Sequence, residues 1–215
     1  MKESLRERRK TMKNKTVKTQ ELTNNGQDWL RVTLDGRDFD LPFKQIGDRK
    51  VAFLDISGQV DFIEQMADLL VEQIQETGLG FDTLLNPVAK SNALAHAIAS
   101  RLMKTVNPAL TSTVVARKSK PGEHHLVEAD YKSVTTNGSQ TLYLTDEEAK
   151  SLQGRSVLLV DDVYGAGGTT KALEELLAKA GAKKAGHVVC AVEKQPDLPK
   201  DLIYLYELPS YPAQS

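Results

Sequence analysis

The segment from Ser156 to Thr170 constrains the possible fold of this chain more than any other part of its sequence. It begins with a continuous apolar run, Val157–Val160, which is typical of a strand covered on both faces of a sheet. Two carboxylates, Asp161 and Asp162, follow directly, and a glycine-rich turn then leads into a predicted helix. Because open parallel sheets bind ligands at the carboxyl ends of their strands, the paired acids are predicted to lie at a binding site.

The turn after these acids has the residue types that bind a phosphorylated sugar. Gly165, Gly167 and Gly168 let the backbone approach an anion closely. Thr169 and Thr170 add hydroxyl donors where the helix begins, and the free amides and dipole of the helix favour phosphate there. An ordinary strand-to-helix turn needs small residues, but neither paired acids nor paired threonines. The dinucleotide spacing Gly-x-Gly-x-x-Gly and the triphosphatase loop are both absent from the sequence, so a ribose-phosphate site is the favoured interpretation.

The same segment resembles the motif that binds 5-phosphoribosyl-1-pyrophosphate (PRPP) in type I phosphoribosyltransferases. That motif has four apolar residues, Asp-Asp, three variable residues and then Thr-Gly-Gly-Thr. The resemblance implies that Asp161 and Asp162 are catalytic residues that orient the ribose hydroxyls. Ala166 departs from the motif, since it stands where the family has its first threonine. The residues implied for binding the PRPP phosphate are Gly165, Ala166, Gly167, Gly168, Thr169 and Thr170.

The composition of the whole chain is that of a globular protein with one substantial core. Its length of 215 residues favours one domain over two. The 28 basic and 29 acidic residues nearly balance, so the net charge does not indicate binding to nucleic acid or to a membrane. No apolar run approaches the roughly 20 residues that span a bilayer. Cys190 is the only cysteine and lies in an apolar strand, which favours a packing role and a cytoplasmic setting.

Apolar strands that alternate with helical patterns predict an α/β fold, with a doubly wound, mainly parallel sheet and helices on both faces. Residues 29–41 alternate around a turn at Asp35-Gly36, which predicts a small N-terminal hairpin over the core. The polar stretch 123–139 is predicted to be a long loop of the kind that forms lids. The predicted divisions are a disordered basic leader (1–25), the hairpin and lead-in (26–58), the core (59–195), and a C-terminal strand with a proline-rich tail (196–215).

The first 18 residues carry eight basic side chains against two acidic ones. A nucleic-acid-binding arm is one interpretation. A disordered leader, or a start that really lies at Met12, is favoured because no aromatic residue is interleaved to stack on bases.

Two further loops supply cations at the same predicted edge of the sheet. The strand predicted at 82–85 is followed by Val88-Ala89-Lys90-Ser91, where a cation could hold pyrophosphate, although an ordinary loop with an exposed lysine is the alternative. Adenine phosphoribosyltransferases have Glu-Ala-Arg-Gly in the corresponding pyrophosphate loop. Lysine cannot form the two parallel hydrogen bonds that an arginine guanidinium makes to a phosphate, so its binding of the leaving group is expected to differ. This resemblance implies pyrophosphate binding by Ala89, Lys90 and Ser91.

The third predicted strand is followed by a stretch that resembles Arg-Lys-x-x-Lys-x-Pro-x-Glu of the adenine enzymes, shortened by about two residues. The resemblance implies pyrophosphate binding by Arg117, Lys118 and Lys120, and an acid/base role for Glu123. Glu128 and Asp130 remain alternatives to Glu123, and Tyr131 falls near a tyrosine position of the family. Taken from the residues alone, this is a basic loop. The pair His124-His125 is interpreted as solvated, because neighbouring residues rarely face one metal ion.

The resemblance extends over residues 40–195, since Leu41-Pro42-Phe43 and the segment 51–57 are similar to the opening of the adenine enzymes. It implies transfer of ribose 5-phosphate from PRPP to a nucleobase, an adenine-like purine being favoured, with release of pyrophosphate. It also implies Mg²⁺ carried by PRPP, with no direct protein ligand, and a homodimer. The alternative is a non-catalytic regulator of the same fold that senses PRPP or a nucleotide.

Overall fold

The structure is a computed structural model that describes residues 17–34, 36–122, 126–132 and 139–212. The strands are β1 Val17–Asn24, β2 Gln27–Leu34, β3 Arg37–Ile46, β4 Arg49–Ala52, β5 Thr83–Pro87, β6 Val114–Ala116, β7 Leu126–Lys132, β8 Ser139–Thr145, β9 Ser156–Tyr164, β10 Lys183–Glu193, β11 Leu202–Ile203, β12 Tyr206–Leu208 and β13 Ser210–Pro212. The helices are α1 Val60–Thr77, α2 Ser91–Thr105, α3 Asp146–Leu152 and α4 Gly168–Lys179.

The central sheet is parallel and has the strand order β11-β10-β9-β5-β6, with β12 also paired to β10. Strand β9 lies in the middle, and its side chains alternate between two cores. Leu158 and Val160 pack with α1 and α2, whereas Val157 and Leu159 pack with α4 on the other face. The predicted doubly wound α/β fold, with helices on both faces, is therefore confirmed.

The N-terminal sheet consists of β1-β2-β3-β4-β13 and is antiparallel throughout. The predicted hairpin is confirmed, with Leu34 opposite Arg37 across the turn. The prediction of a disordered leader over 1–25 is wrong for residues 17–24, which form β1 and pair with β2 along their whole length. Their polar side chains gave no apolar signal, because this edge strand is largely exposed. Residues 1–16 lie outside the described residues.

The prediction of a long loop over 123–139 is wrong for residues 126–132, which form β7 and pair antiparallel with β8. Ala129 and Tyr131 alternate with charged residues and are buried beneath α4, a period-two pattern that the polar neighbours obscured. Residues 123–125 and 133–138 lie outside the described residues, so His124 and His125 do as well.

The C-terminal region, predicted to be one short strand within a tail, contains three. β11 and β12 extend the central sheet along β10, and β13 returns to pair with β4. Cys190 is fully buried in β10, in agreement with its predicted packing role. No helix among the described residues is long and apolar enough to cross a membrane.

Candidate active site

A cavity of about 230 Å³ lies between the carboxyl edge of the central sheet and the N-terminal sheet. Its floor is formed by the ends of β5 and β9 and by the turn into α4. Its roof comes from β4 and the segment that follows. The predicted site residues that line it are Ala89, Lys90, Ser91, Lys118, Asp161, Asp162, Gly165, Ala166, Gly167, Gly168, Thr169 and Thr170. Residues from three separate parts of the sequence are thus brought to one wall.

The two acids at the end of β9 differ in their exposure. Asp161 is buried, whereas Asp162 is half-buried. The backbone amide of Asp162 donates a hydrogen bond of 2.9 Å to Oδ1 of Asp161, and the amide of Val163 donates one of 2.9 Å to Oδ1 of Asp162. Burial, and next the charge of Asp162, raises the pKa of Asp161 well above its usual range, which Lys118 opposes. These bonds hold both carboxylates in fixed orientations.

The turn into α4 is shaped around Gly167. This residue has φ +79°, a left-handed conformation that glycine adopts without strain. A Cβ at this position would lie only 2.7 Å from the hydroxyl oxygen of Tyr164, so the tyrosine packs directly under the turn. Gly167 and the first residues of α4, Gly168–Thr170, line the cavity, where the free amides of a helix start favour an anion.

The loop after β5 places Lys90 against the roof of the cavity. Its ammonium lies 4.5 Å from the centre of the Phe53 ring and 3.4 Å from the carbonyl oxygen of Leu54. Ser91 is buried and its hydroxyl donates a 2.6 Å hydrogen bond to the carbonyl of Pro87. Lys90 is thus a cation at the cavity wall, while the Ser91 hydroxyl secures the start of α2.

Of the basic group after β6, only Lys118 lines the cavity within the described part of the chain. Arg117 forms a 2.5 Å ion pair with Glu148 and exchanges backbone hydrogen bonds with Tyr143. Lys120 is exposed away from the wall. Glu123 lies outside the described residues. Arg117 and Lys120 do not line the cavity, and pyrophosphate binding by them stays a prediction.

The alternatives to Glu123 do not face the cavity either. Glu128 and Asp130 are exposed on β7, and Asp130 accepts a 2.6 Å hydrogen bond from Thr141 of β8. Tyr131, on the other face of the strand, does line the cavity. The alternation of side chains along a strand explains this division.

Several cavity residues have no counterpart among the sequence predictions. The roof and the side towards β10 are largely apolar, and one acid, Glu193, lies at the end of β10. Val51, Phe53 and Leu54 belong to the segment 51–57, for which the resemblance implies no site role, and no local motif marks Glu193 or Leu208. β10 ends, however, at the predicted ligand-binding edge. The unpredicted lining residues used below are Val51, Phe53, Leu54, Tyr164, Glu193 and Leu208.

The family model described as "Phosphoribosyl transferase domain" matches residues 59–211, most of the chain. The chain belongs to this family. Among curated relatives, it is 31% identical to the adenine phosphoribosyltransferase of Mycoplasma mobile over 67% of this chain and 74% of that enzyme. It is also 29% identical to the purine biosynthesis transcriptional repressor PurR of Bacillus subtilis, over 63% of this chain and 44% of the repressor.

Solved structures agree on the fold of this phosphoribosyltransferase-family chain. The crystal structure of adenine phosphoribosyltransferase from Thermoanaerobacter pseudethanolicus aligns with a TM-score of 0.55 at 17% identity, covering 88% of this chain and 95% of that one. At this identity the likeness establishes the fold alone.

Proposed function

We propose that this phosphoribosyltransferase transfers the ribose 5-phosphate unit of PRPP to a purine, with adenine favoured, and releases pyrophosphate in nucleotide salvage. The observation that carries the proposal is the meeting of paired carboxylates, an anion-binding helix start and Lys90 in one cavity. The relatedness to the Mycoplasma mobile enzyme supports adenine among the purines.

The carboxylates would act on the sugar. As the bond from the anomeric carbon to the pyrophosphate oxygen breaks, positive charge builds on the ribose ring. Asp161 and Asp162 would accept hydrogen bonds from the ribose hydroxyls and stabilise this charge at short range. Because their orientations are set by backbone amides, little reorganisation accompanies the reaction.

The two ends of PRPP would lie at different loops. The amides and hydroxyls at the start of α4, residues 165–170, would bind the 5-phosphate. Lys90 and Lys118 would neutralise the pyrophosphate that leaves. The N-terminal sheet covers the cavity and would exclude water, which otherwise competes with the base for the sugar.

Mg²⁺ would enter as part of the substrate, bound to the diphosphate of PRPP. Among the described residues, no cluster of three or more His, Cys, Asp or Glu side chains could hold a metal ion. Mg²⁺ prefers phosphate oxygens and water to a protein cage. The ion would add positive charge to the leaving group, which the chain's own lysines supplement.

The family resemblance also supports a homodimer, and the single cysteine supports a cytoplasmic setting. Sedimentation equilibrium at micromolar concentration tests the first of these: a dimer mass is expected, and a monomer would contradict it.

The test of the proposed function is a PRPP-dependent assay across a panel of nucleobases, with pyrophosphate release as the readout. We expect turnover with adenine. The double variant Asp161→Asn plus Asp162→Asn should lose transfer by at least about 10³-fold, because the ribose loses its charge-stabilising groups. The matched control Asp197→Asn removes an exposed carboxylate and should leave activity unchanged.

Two results would contradict the proposal. Near-normal turnover in the double variant, with its thermal unfolding unaltered, would remove the carboxylates from the mechanism. Binding of PRPP by the wild-type protein without turnover on any base would favour the non-catalytic sensor.

A further inference from the structure

Glu193 is the last residue of β10 and lines the cavity beside the turn that follows β9. A Cβ on Gly165 would lie 3.3 Å from the carboxyl carbon of Glu193. The carboxyl group therefore occupies the space beside the turn that the missing Gly165 side chain leaves free. Gln195 also contacts this turn, because its side-chain amide donates a 2.8 Å hydrogen bond to the carbonyl oxygen of Gly165.

The order of strands places Glu193 opposite the leaving group. β9, which carries Asp161 and Asp162, lies between β5 and β10. The proposed pyrophosphate loop follows β5, while Glu193 ends β10. A nucleophile that displaces pyrophosphate attacks the anomeric carbon from the side opposite the leaving group. The incoming base would therefore lie on the β10 side of the sugar.

The cavity wall near this position suits a flat heteroaromatic ring. Val51 and Leu54 come from the roof, and Leu208 comes from β12, which pairs with β10 beside Glu193. Apolar side chains of this kind bind the faces of a purine but offer no hydrogen bonds to its edge. Among the described acids that line the cavity, Asp161 and Asp162 face the sugar in the proposed mechanism, and Glu193 is the acid at the end of β10, on the side where the base would lie. Glu123, for which the resemblance implies an acid/base role, lies outside the described residues.

We propose, resting on the proposed function, that the Glu193 carboxylate accepts the imidazole N–H proton of the incoming purine during transfer. The ring nitrogen forms a bond to the anomeric carbon, and the bond from that carbon to the pyrophosphate oxygen breaks with its electron pair. The imidazole proton passes to the carboxylate, which becomes a carboxylic acid. It returns the proton to solvent once the nucleotide has left.

The surroundings of Glu193 suit a proton acceptor. Its partial burial raises the pKa of this carboxyl, and the charge of Arg49 on β4 opposes that rise. The other charged groups that share the cavity are Asp161 and Asp162 from β9, Lys90 after β5 and Lys118 after β6; Tyr164 is the titratable neighbour at the end of β9. A carboxylate with a raised pKa holds a proton more strongly and is a better base near neutral pH.

The test compares Glu193→Gln with the wild-type protein in the PRPP-dependent assay with adenine. Glutamine keeps the size of the side chain but cannot take up a proton. We expect kcat to fall by about 10²-fold or more, with the Kd for PRPP within threefold, since general bases contribute that much. In the wild type, kcat/KM should fall as the pH drops through the pKa values of Asp161 and Glu193, both of which burial raises. The variant should lose the part of this acid limb that Glu193 contributes.

A second variant and a control separate chemistry from structure. Glu193→Asp keeps the carboxylate on a shorter arm, so it should turn over faster than Glu193→Gln and retain the part of the acid limb that Glu193→Gln loses. Glu207→Gln removes an exposed carboxylate on β12 and should leave rate and pH profile unchanged.

Three outcomes bear on the proposal in different ways. A Glu193→Gln protein that keeps kcat within twofold, or keeps the wild-type acid limb unchanged, overturns the role of Glu193 alone. A Glu193→Asp protein no faster than Glu193→Gln, and with the same acid limb as Glu193→Gln, also overturns it. A wild-type protein inactive with every purine overturns the proposed function itself, together with this step.

Discussion

At the scale of single residues, the contact between Gly167 and Tyr164 shows how strictly the phosphate turn is specified. The turn needs a left-handed residue, and the tyrosine hydroxyl fills the space that a side chain there would need. Tyr164 in turn packs edge-on against His187, with ring centroids 6.0 Å apart. The position of the turn therefore depends on the half-buried Tyr164 ring and on the buried His187 ring that packs against it.

The substitution Gly167→Ala is expected to weaken PRPP binding by at least about tenfold, because a methyl group meets the Tyr164 hydroxyl at 2.7 Å and displaces the turn. Titration calorimetry with Mg-PRPP measures the effect. Gly26→Ala is the matched control, since Gly26 also has a positive φ but has open space around its Cβ position. Both variants should lose about 1 kcal/mol of stability through backbone strain. Equal PRPP affinity in the two variants would contradict a role for the tyrosine contact.

Site residues that are close together in sequence could be predicted, and those brought together by the fold could not. Asp161, Asp162 and the turn residues form one continuous segment, and their residue types together predict a ribose-phosphate site. Glu193 has no local motif, and the resemblance of the segment around Phe53 implies no site role, so only the pairing of β9 with β10 and the fold of the N-terminal sheet place these residues at the cavity. The ion pair of Arg117 with Glu148 could not be predicted either, since it joins residues 31 positions apart.

At the scale of elements, β10 is unusual because it buries a histidine in the central sheet. His187 is almost fully buried, and neither ring nitrogen has a hydrogen-bond partner among the described residues. Burial, and next the charge of Lys184, lowers the pKa of His187 to about 3, while Asp201 opposes this. The ring is therefore neutral in the folded protein throughout the physiological range.

His187 should make the folded protein sensitive to acid. Below its unfolded pKa of about 6.5, the unfolded chain binds a proton that the folded chain does not bind until about pH 3. The free energy of unfolding should consequently fall by up to about 1.4 kcal/mol per pH unit between these values. Urea titrations at pH 6.5, 5.5 and 4.5 measure this slope.

The variant His187→Phe keeps an aromatic ring against Tyr164. The slope of its free energy of unfolding against pH should be smaller than that of the wild type by the contribution of one proton, about 1.4 kcal/mol per pH unit. His96→Gln is the control, because His96 is exposed on α2. Comparing slopes between variants cancels the contribution of the acids. An unchanged slope in His187→Phe would show that the buried ring is not the group that takes up the proton.

Elements with strong periodicity could be predicted, and elements with polar faces could not. Apolar residues recur at helical spacing over 60–77 and Gly78 follows them, a pattern that predicts the helix and the left-handed cap found in α1. α3 was not predicted, although its capping box between Thr145 and Glu148 is visible in the sequence as Thr-x-x-Glu. β1 and β7 were missed because charged residues occupy their exposed sides.

At the scale of the whole molecule, the cavity joins two sheets that are built differently. The central sheet supplies the acids and the phosphate turn, and the N-terminal sheet supplies the roof. A ligand in the cavity contacts both, so its binding energy should stabilise both sheets together. The general fold could be predicted from alternating helices and strands, but the extent of the roof could not, because β1 and β13 come from polar or proline-rich segments.

Mg-PRPP at 100 times its Kd should raise the free energy of unfolding by about 2.7 kcal/mol. For a chain of this length, that corresponds to an increase of about 5–10 °C in Tm. Differential scanning calorimetry measures the shift, and inorganic phosphate at the same concentration serves as the control ligand. A shift no larger than that given by phosphate would contradict binding of the whole PRPP molecule across the cavity.

The pairing of β13 with β4 has a mechanical consequence for this architecture. The chain leaves the N-terminal sheet after Ala52 and comes back to it at Ser210, so the sheet is tethered to the core at two separate crossings. The two crossings lie side by side, since the amide of Ala52 donates a 3.3 Å hydrogen bond to the carbonyl oxygen of Pro209. Paired segments of this kind resist twisting of the N-terminal sheet against the core, so native-state hydrogen exchange should find the two opening as a single cooperative unit.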